Sequence, residues 1–208
     1  MTHDLPDASI IAFDPPDGAA TPGAAAARVV RTSTAAGAPN VEEGPGQPEA
    51  LDRPVAGLAA FRDAVRQALA EAAQAGSREA WWCDETFADW PLDDAEVIAS
   101  LVRWARPQRR LTLLARRFDD LPVRHPRWVA WRRTWSHVVV CRAVEPEVRA
   151  DVPTLLCASP HCTLRLADRA HHLGRLSTDI HDAVRAREQI DAISQRSSET
   201  FGATTLGL

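Results

Sequence analysis

Residues 160–177, PHCTLRLADRAHHLGRLS, carry the pattern that best defines the fold. Apolar and polar residues alternate in TLRLAD (163–168), and HHLGRLS (171–177) follows too closely for a helix to intervene. This spacing is typical of two strands joined by a turn, and TLLCAS (154–159) has the composition of a third strand. The stretch therefore predicts neighbouring antiparallel strands.

The chain upstream alternates between helical and strand patterns. Helices are predicted from Leu58 to Gly76, from Asp93 to Ala105 and from Arg124 to Trp135, and strands at 79–85 (EAWWCDE), 111–116 (LTLLAR) and 137–144 (HVVVCRAV). A last helix is predicted over 179–194, with Asp179 as its cap and Ile180, Val184, Ile190 and Ile193 facing inward. This order predicts an α/β fold, a mixed, mainly parallel sheet flanked by helices.

The inventory of side chains excludes several kinds of chemistry. All 24 basic residues are arginine, and the sequence contains neither lysine nor tyrosine. Schiff-base enzymes and Walker-type phosphate loops both need a lysine, so they are excluded. No apolar run has the length of a membrane span, and the first residues lack a basic start followed by an apolar core. We therefore expect a cytoplasmic protein.

Residues 1–50 differ in composition from the remainder. They contain seven prolines, five glycines and seven acidic residues against two arginines. Such a segment cannot bury enough apolar surface to offset its ordering entropy, so we predict a disordered acidic tail. A short partner-binding element at Ser9–Phe13 (SIIAF) is the alternative. Residues 51–208 are predicted to form the α/β domain.

The spacing of three residues suggests a family. His161 is followed by Thr163 two positions later and by Asp168 five positions further, with Gly174 and Ser177 beyond. This pattern resembles the phospholipase D-like phosphodiesterase superfamily, whose signature is His-x-Lys-x-x-x-x-Asp, a turn and a strand ending in Gly-Ser. The resemblance covers about residues 55–200 and implies one half of that fold, in a degenerate bacterial form.

The resemblance also implies roles for these residues. In active members the motif histidine attacks phosphorus, a second motif histidine protonates the leaving group, and the lysines hold the phosphoryl oxygens. His161 stands at the nucleophile position, but Thr163 replaces the lysine. We therefore expect a non-catalytic binding or scaffolding domain, with a ligand pocket near His161, Thr163, Arg165 and Asp168 and with Ser177 as a further ligand-binding residue. The alternative is a weak phosphodiesterase that works as a homodimer through His161.

A cluster of cysteines and histidines raises the question of a metal. Its members are Cys157, His161, Cys162, His171 and His172. Cysteine and histidine are the usual zinc ligands, but the chain has no Cys-x-x-Cys pair, and cysteine on a strand behaves as a small apolar residue. We favour buried thiols and expect neither a metal nor a cofactor; a small zinc-stabilised domain is the alternative.

Positive charge is concentrated in residues 103–149, which hold twelve arginines against four acidic residues. Trp128, Trp131 and Trp135 recur there at helical spacing, which favours a core-facing stripe with Arg132 and Arg133 on the solvated face. The alternative is an anionic partner, in particular nucleic acid, bound by Arg132 and Arg133, because arginine and aromatic side chains together hold phosphates and bases.

Overall fold

The structure is a computed structural model that describes residues 52–145, 151–158 and 160–202. The predicted acidic tail over 1–50, with its partner-binding alternative at Ser9–Phe13, lies outside the described residues. In the described part, no helix combines the length and the apolar character that crossing a membrane requires.

The described residues form eight strands and five helices. In chain order these are β1 (Asp52–Ala56), α1 (Leu58–Ala75), β2 (Glu79–Asp84), α2 (Ala95–Trp104), β3 (Arg110–Ala115), α3 (Leu121–Arg124), α4 (Pro126–Thr134), β4 (Val139–Val144), β5 (Leu155–Ala158), β6 (Cys162–Asp168), β7 (Leu173–Ser177), α5 (Ile180–Ser194) and β8 (Ser197–Glu199). The α/β class and most elements are as predicted.

All eight strands belong to one mixed sheet, in the order β1-β7-β6-β5-β2-β3-β4-β8. Strands β2, β3 and β4 are parallel, and the other pairings are antiparallel. The mixed sheet is confirmed, but the prediction that it is mainly parallel is wrong: two strand pairings are parallel and five are antiparallel, because β5, β6 and β7 form an antiparallel run and β1 and β8 add antiparallel edges. Neither edge strand was predicted, since DRPVA and SSE are short and lack a clear alternation.

Helices cover both faces of the sheet. Helices α1, α2 and α4 pack on one face, while α5 packs alone on the other. Side chains alternate between the faces along each strand, so Trp82 enters the larger core and Cys83 the smaller one beneath α5. Parallel strands buried on both faces explain the continuous apolar runs in the sequence.

One of the predicted helices is divided in two in the structure. The single helix predicted from Arg124 to Trp135 is divided at His125, whose φ of −133° and ψ of 57° are not helical. Pro126 follows it, and the residue before a proline is disfavoured in the helical region.

In α5 the side chain of Asp179 caps the helix as predicted, by accepting a hydrogen bond from the backbone N–H of His181.

The buried face of α5 is only half as predicted. Ile190 and Ile193 are buried, but Ile180 and Val184 are exposed. Ala183 and Ala186 take the inward positions in the first half of the helix. Small side chains suit this end, where the helix packs against β6.

Candidate functional site

Strand β6 positions the residues of the predicted motif. His161 lies in the turn before the strand, where its backbone N–H donates to the carbonyl of Ala158 at 2.8 Å. Thr163 is 4% exposed and faces α5, and its hydroxyl lies 4.0 Å from the sulfur of Cys157. Arg165 is on the same face of the strand, because side chains alternate between the two faces.

Asp168 lies at the opposite end of β6. Seven residues of extended chain span roughly 20 Å, which separates the carboxylate from His161. Asp168 instead closes the following turn, since its oxygens accept from the backbone N–H of His171 at 3.1 Å and lie 2.8 Å from Nδ1 of the same residue. The hydrogen bonds from His171 lower the pKa of Asp168. The prediction of one pocket shared by His161 and Asp168 is therefore wrong.

A compact polar cluster lies on the α5 face beside Thr163. We call it the α5 cluster, and its polar members are Thr163, Arg165, Arg175, Ser177, Asp182 and Arg185. Ser177 is the register partner of Thr163 on β7. Asp182 lies 3.4 Å from Arg175 and 2.5 Å from Arg185. Hydrogen bonding from Ser177, and then from Arg185, lowers the pKa of Asp182.

The α5 cluster leaves little room for a ligand. The space between its side chains is about 40 Å³, enough for a water molecule but far below a typical small-molecule site. Asp182 and Asp52 already neutralise Arg175, and Asp182 also engages Arg185. The structure thus brings together Thr163, Arg165 and Ser177, and separates them from Asp168.

Gly174 has a steric role on β7. A Cβ atom at this position would lie 2.8 Å from the Cα of Leu166, and it would also meet the backbone carbonyl of Arg165. The register between β6 and β7 shifts at this point, between Leu166 and Asp168. Close approach of two backbones therefore accounts for this glycine.

The cysteines and histidines of the alternative zinc site are not brought together in the structure. Cys157 belongs to the core beneath α5, whereas Cys162 is in the opposite core, where its sulfur lies 3.5 Å from the carbonyl oxygen of Ala68. His171 and His172 belong to the turn at the far end of β6. In the described residues, no three His, Cys, Asp or Glu side chains are grouped as metal ligands would be. All four cysteines are buried thiols, as favoured from the sequence.

The two arginines assigned to a solvated face have different environments. Arg133 is exposed, but Arg132 is only 5% exposed. The guanidinium of Arg132 lies 4.8 Å from the ring centroid of Phe201 and donates to the carbonyl of that residue. The prediction that Arg132 is solvated is therefore wrong, because the segment after β8 covers it.

A cavity of about 330 Å³ at the carboxyl end of β2 was not predicted. Asp84 lies in its wall and is 6% exposed; it accepts from Thr154 Oγ1 at 2.5 Å and from the backbone N–H of Phe87 at 2.8 Å. His172 Nε2 lies 3.2 Å from Asp89 across the rim. The sequence signal was the acidic pair Asp84 and Glu85 at the carboxyl end of a buried strand.

Comparison with known proteins gives similarity in structure alone. No protein-family model matches this chain, and no curated protein matches it in sequence. Among solved structures it is similar to TrmBL2, an archaeal chromatin protein with a novel mode of DNA binding, at a TM-score of 0.50 and 14% identity over 72% of this chain. It is equally similar to phosphatidylserine synthase from Haemophilus influenzae, at a TM-score of 0.50 and 12% identity over 76% of this chain.

A third similar structure is Nuc from Salmonella typhimurium, a phospholipase D family member, at a TM-score of 0.46 and 7% identity; the alignment covers 73% of this chain and 99% of Nuc. The chain spans 55% of the length of TrmBL2 and 42% of the synthase. The fold of this chain is phospholipase D-like, as the motif spacing predicted. These identities show the fold and not the activity.

Proposed function

We propose that this chain is a non-catalytic phospholipase D-like domain with a binding or scaffolding role. The observation that carries the proposal is the burial of Thr163 beneath α5, at the position where active members have a lysine. Phosphoryl transfer depends on fixed positive charge close to the transferring group. A buried threonine hydroxyl beside a cysteine sulfur supplies none.

The neighbouring arginines do not replace the missing lysine. Asp182 lies between Arg175 and Arg185 and engages both, so its negative charge would oppose a phosphate at the same place. Arg165 is exposed at the rim of the α5 cluster. The electrostatics of this cluster favour holding α5 on the sheet over binding a substrate.

A phosphodiesterase assay tests this proposal against the alternative of a weak dimeric enzyme. We expect wild-type protein to hydrolyse bis(p-nitrophenyl) phosphate no faster than His161→Ala, with or without EDTA. His171→Ala is the matched control, because it removes a histidine at the opposite end of β6. Hydrolysis that is lost in His161→Ala but kept in His171→Ala would overturn the proposal.

A further inference from the structure

Six arginines lie at the amino ends of the three parallel strands. We call this surface the basic edge; its arginines are Arg78, Arg103, Arg106, Arg109, Arg110 and Arg133. Backbone contacts bring the segments together, since the N–H of Arg110 donates to the carbonyl of Arg78 at 2.9 Å and that of Arg109 to Arg106 at 3.0 Å. Five of the six side chains are exposed, and Arg109 is half-buried.

Among the described residues, the arginines of the basic edge have no acidic partner. None of the six forms an ion pair within the described ranges, whereas seven arginines elsewhere do. Glu79 follows Arg78 in the chain, but Arg187 engages its carboxylate at 2.9 Å. The described residues therefore leave the positive charge at this end of the sheet without an ion pair.

The negative ends of the helix dipoles offset only part of this positive charge. Helices α1, α2 and α4 all end at this edge, and basic residues such as Arg103 and Arg133 in a last turn complement the negative end of the dipole. Each helix end is equivalent to about half a negative charge, so three ends offset roughly one and a half of six positive charges. A large excess of positive charge remains.

Crowding within the basic edge is visible at Arg109. Its guanidinium lies 5.7 Å from the ring centroid of Trp104. Burial, together with the neighbouring charge of Arg106, lowers the pKa of Arg109. An anion bound beside neighbouring like charges reduces their mutual repulsion.

An aromatic pair borders the basic edge. Trp128 and Trp131 are buried in the core, but Trp135 is only half-buried and its ring packs at a tilt of 37° against exposed His137, with centroids 5.7 Å apart. The loop that carries this pair joins Arg133 to β4, and the carbonyl of Val138 accepts from Leu111 next to Arg110. Aromatic rings beside arginines can stack on unpaired bases.

We propose that the basic edge binds single-stranded nucleic acid. The guanidinium groups contact successive phosphates, and Trp135 with His137 provides a stacking platform for a base. The stacking surface favours nucleic acid over an acidic protein, because a carboxylate chain has no ring to stack. This inference names the partner class for the binding role proposed above and rests on that role.

Fluorescence anisotropy with a labelled oligonucleotide of about 20 thymidines tests the proposal, with the RNA equivalent as a second arm. The double variant Arg106→Glu/Arg110→Glu is compared with Arg117→Glu/Arg124→Glu, which makes the same charge change at exposed arginines away from the basic edge. We expect the first to lower affinity at least about tenfold and to reduce the slope of log affinity against log salt by about 1.4. The control should bind like wild type.

Trp135→Ala tests the stacking platform, with an expected loss of affinity of about tenfold on single strands and little change on duplex DNA. Far-UV circular dichroism checks that all variants are folded. Equal loss in both charge-reversal variants, or competition by polyglutamate as strong as by oligonucleotide, would overturn the inference. Electrophoresis of the oligonucleotide after incubation separates the two proposals: cleavage contradicts only the non-catalytic role, and absence of binding contradicts only this inference.

Discussion

At the residue scale, neighbouring side chains of the same type have different roles. Arg132 and Arg133 cannot be distinguished by composition, yet only Arg132 lies beneath the segment after β8. Its side chain is buried, and its guanidinium lies over the ring of Phe201. Thr163 is similar, because the motif position was readable but its burial beneath α5 was not.

The pair Arg132 and Arg133 provides a matched test of this difference. We expect Arg132→Ala to lower the free energy of unfolding by about 2 kcal/mol, because packing, a hydrogen bond and a cation–π contact are lost. Arg133→Ala should change it by less than about 0.5 kcal/mol. Urea unfolding followed by tryptophan fluorescence measures both; similar values for the two variants would contradict the buried placement of Arg132.

At the element scale, the division between α3 and α4 places a histidine in the core. His125 is 5% exposed, and its Nε2–H donates to the carbonyl of Phe87 at 2.9 Å. Phe87 has a φ of 61°, which is uncommon for an aromatic residue. The bond from His125 therefore supports a strained turn after β2 and ties the helix pair to the sheet.

This arrangement predicts a pH-dependent stability. Burial lowers the pKa of His125 below its ordinary value of 6.5, so the folded protein binds fewer protons here than the unfolded chain as the pH falls. The stabilisation is present above pH 6.5 and is lost progressively below it. Melting temperatures measured on both sides of this pH should fall on the acidic side for wild type.

The comparison variant is His125→Gln, which retains a donor for the carbonyl of Phe87 but does not titrate. We expect its melting temperature to depend less on pH over the same interval, whatever its overall stability. His137→Gln, at an exposed histidine, should retain the wild-type dependence. An unchanged pH dependence in His125→Gln would show that other groups are responsible.

At the scale of the whole molecule, the four cysteines are divided between the two cores. Cys83 and Cys157 lie beneath α5, and Cys141 and Cys162 lie in the larger core. Burial raises the pKa of Cys141 to about 11 and that of Cys162 to about 12. Only the thiolate is reactive. Burial therefore protects these thiols in two ways, because it blocks access by reagents and because the raised pKa keeps the thiols protonated.

We therefore expect slow thiol modification in the native state. Reaction with a disulfide reagent near neutral pH should be roughly 100-fold or more slower than in guanidinium, where all four thiols react. Counting the modified thiols by mass spectrometry measures this. Rapid modification of one cysteine under native conditions would mean that one face of the sheet opens locally.

The sequence alone determined the class of fold, because the order of helix and strand patterns and the spacing of His161, Thr163 and Asp168 are local properties. It also determined that the chain contains no lysine at all. Only the tertiary structure decided that α5 covers Thr163, that Arg132 is buried and that six arginines with no ion pair among the described residues share one edge. These features depend on which segments pack together, and packing between residues distant in the chain is not written in any local pattern.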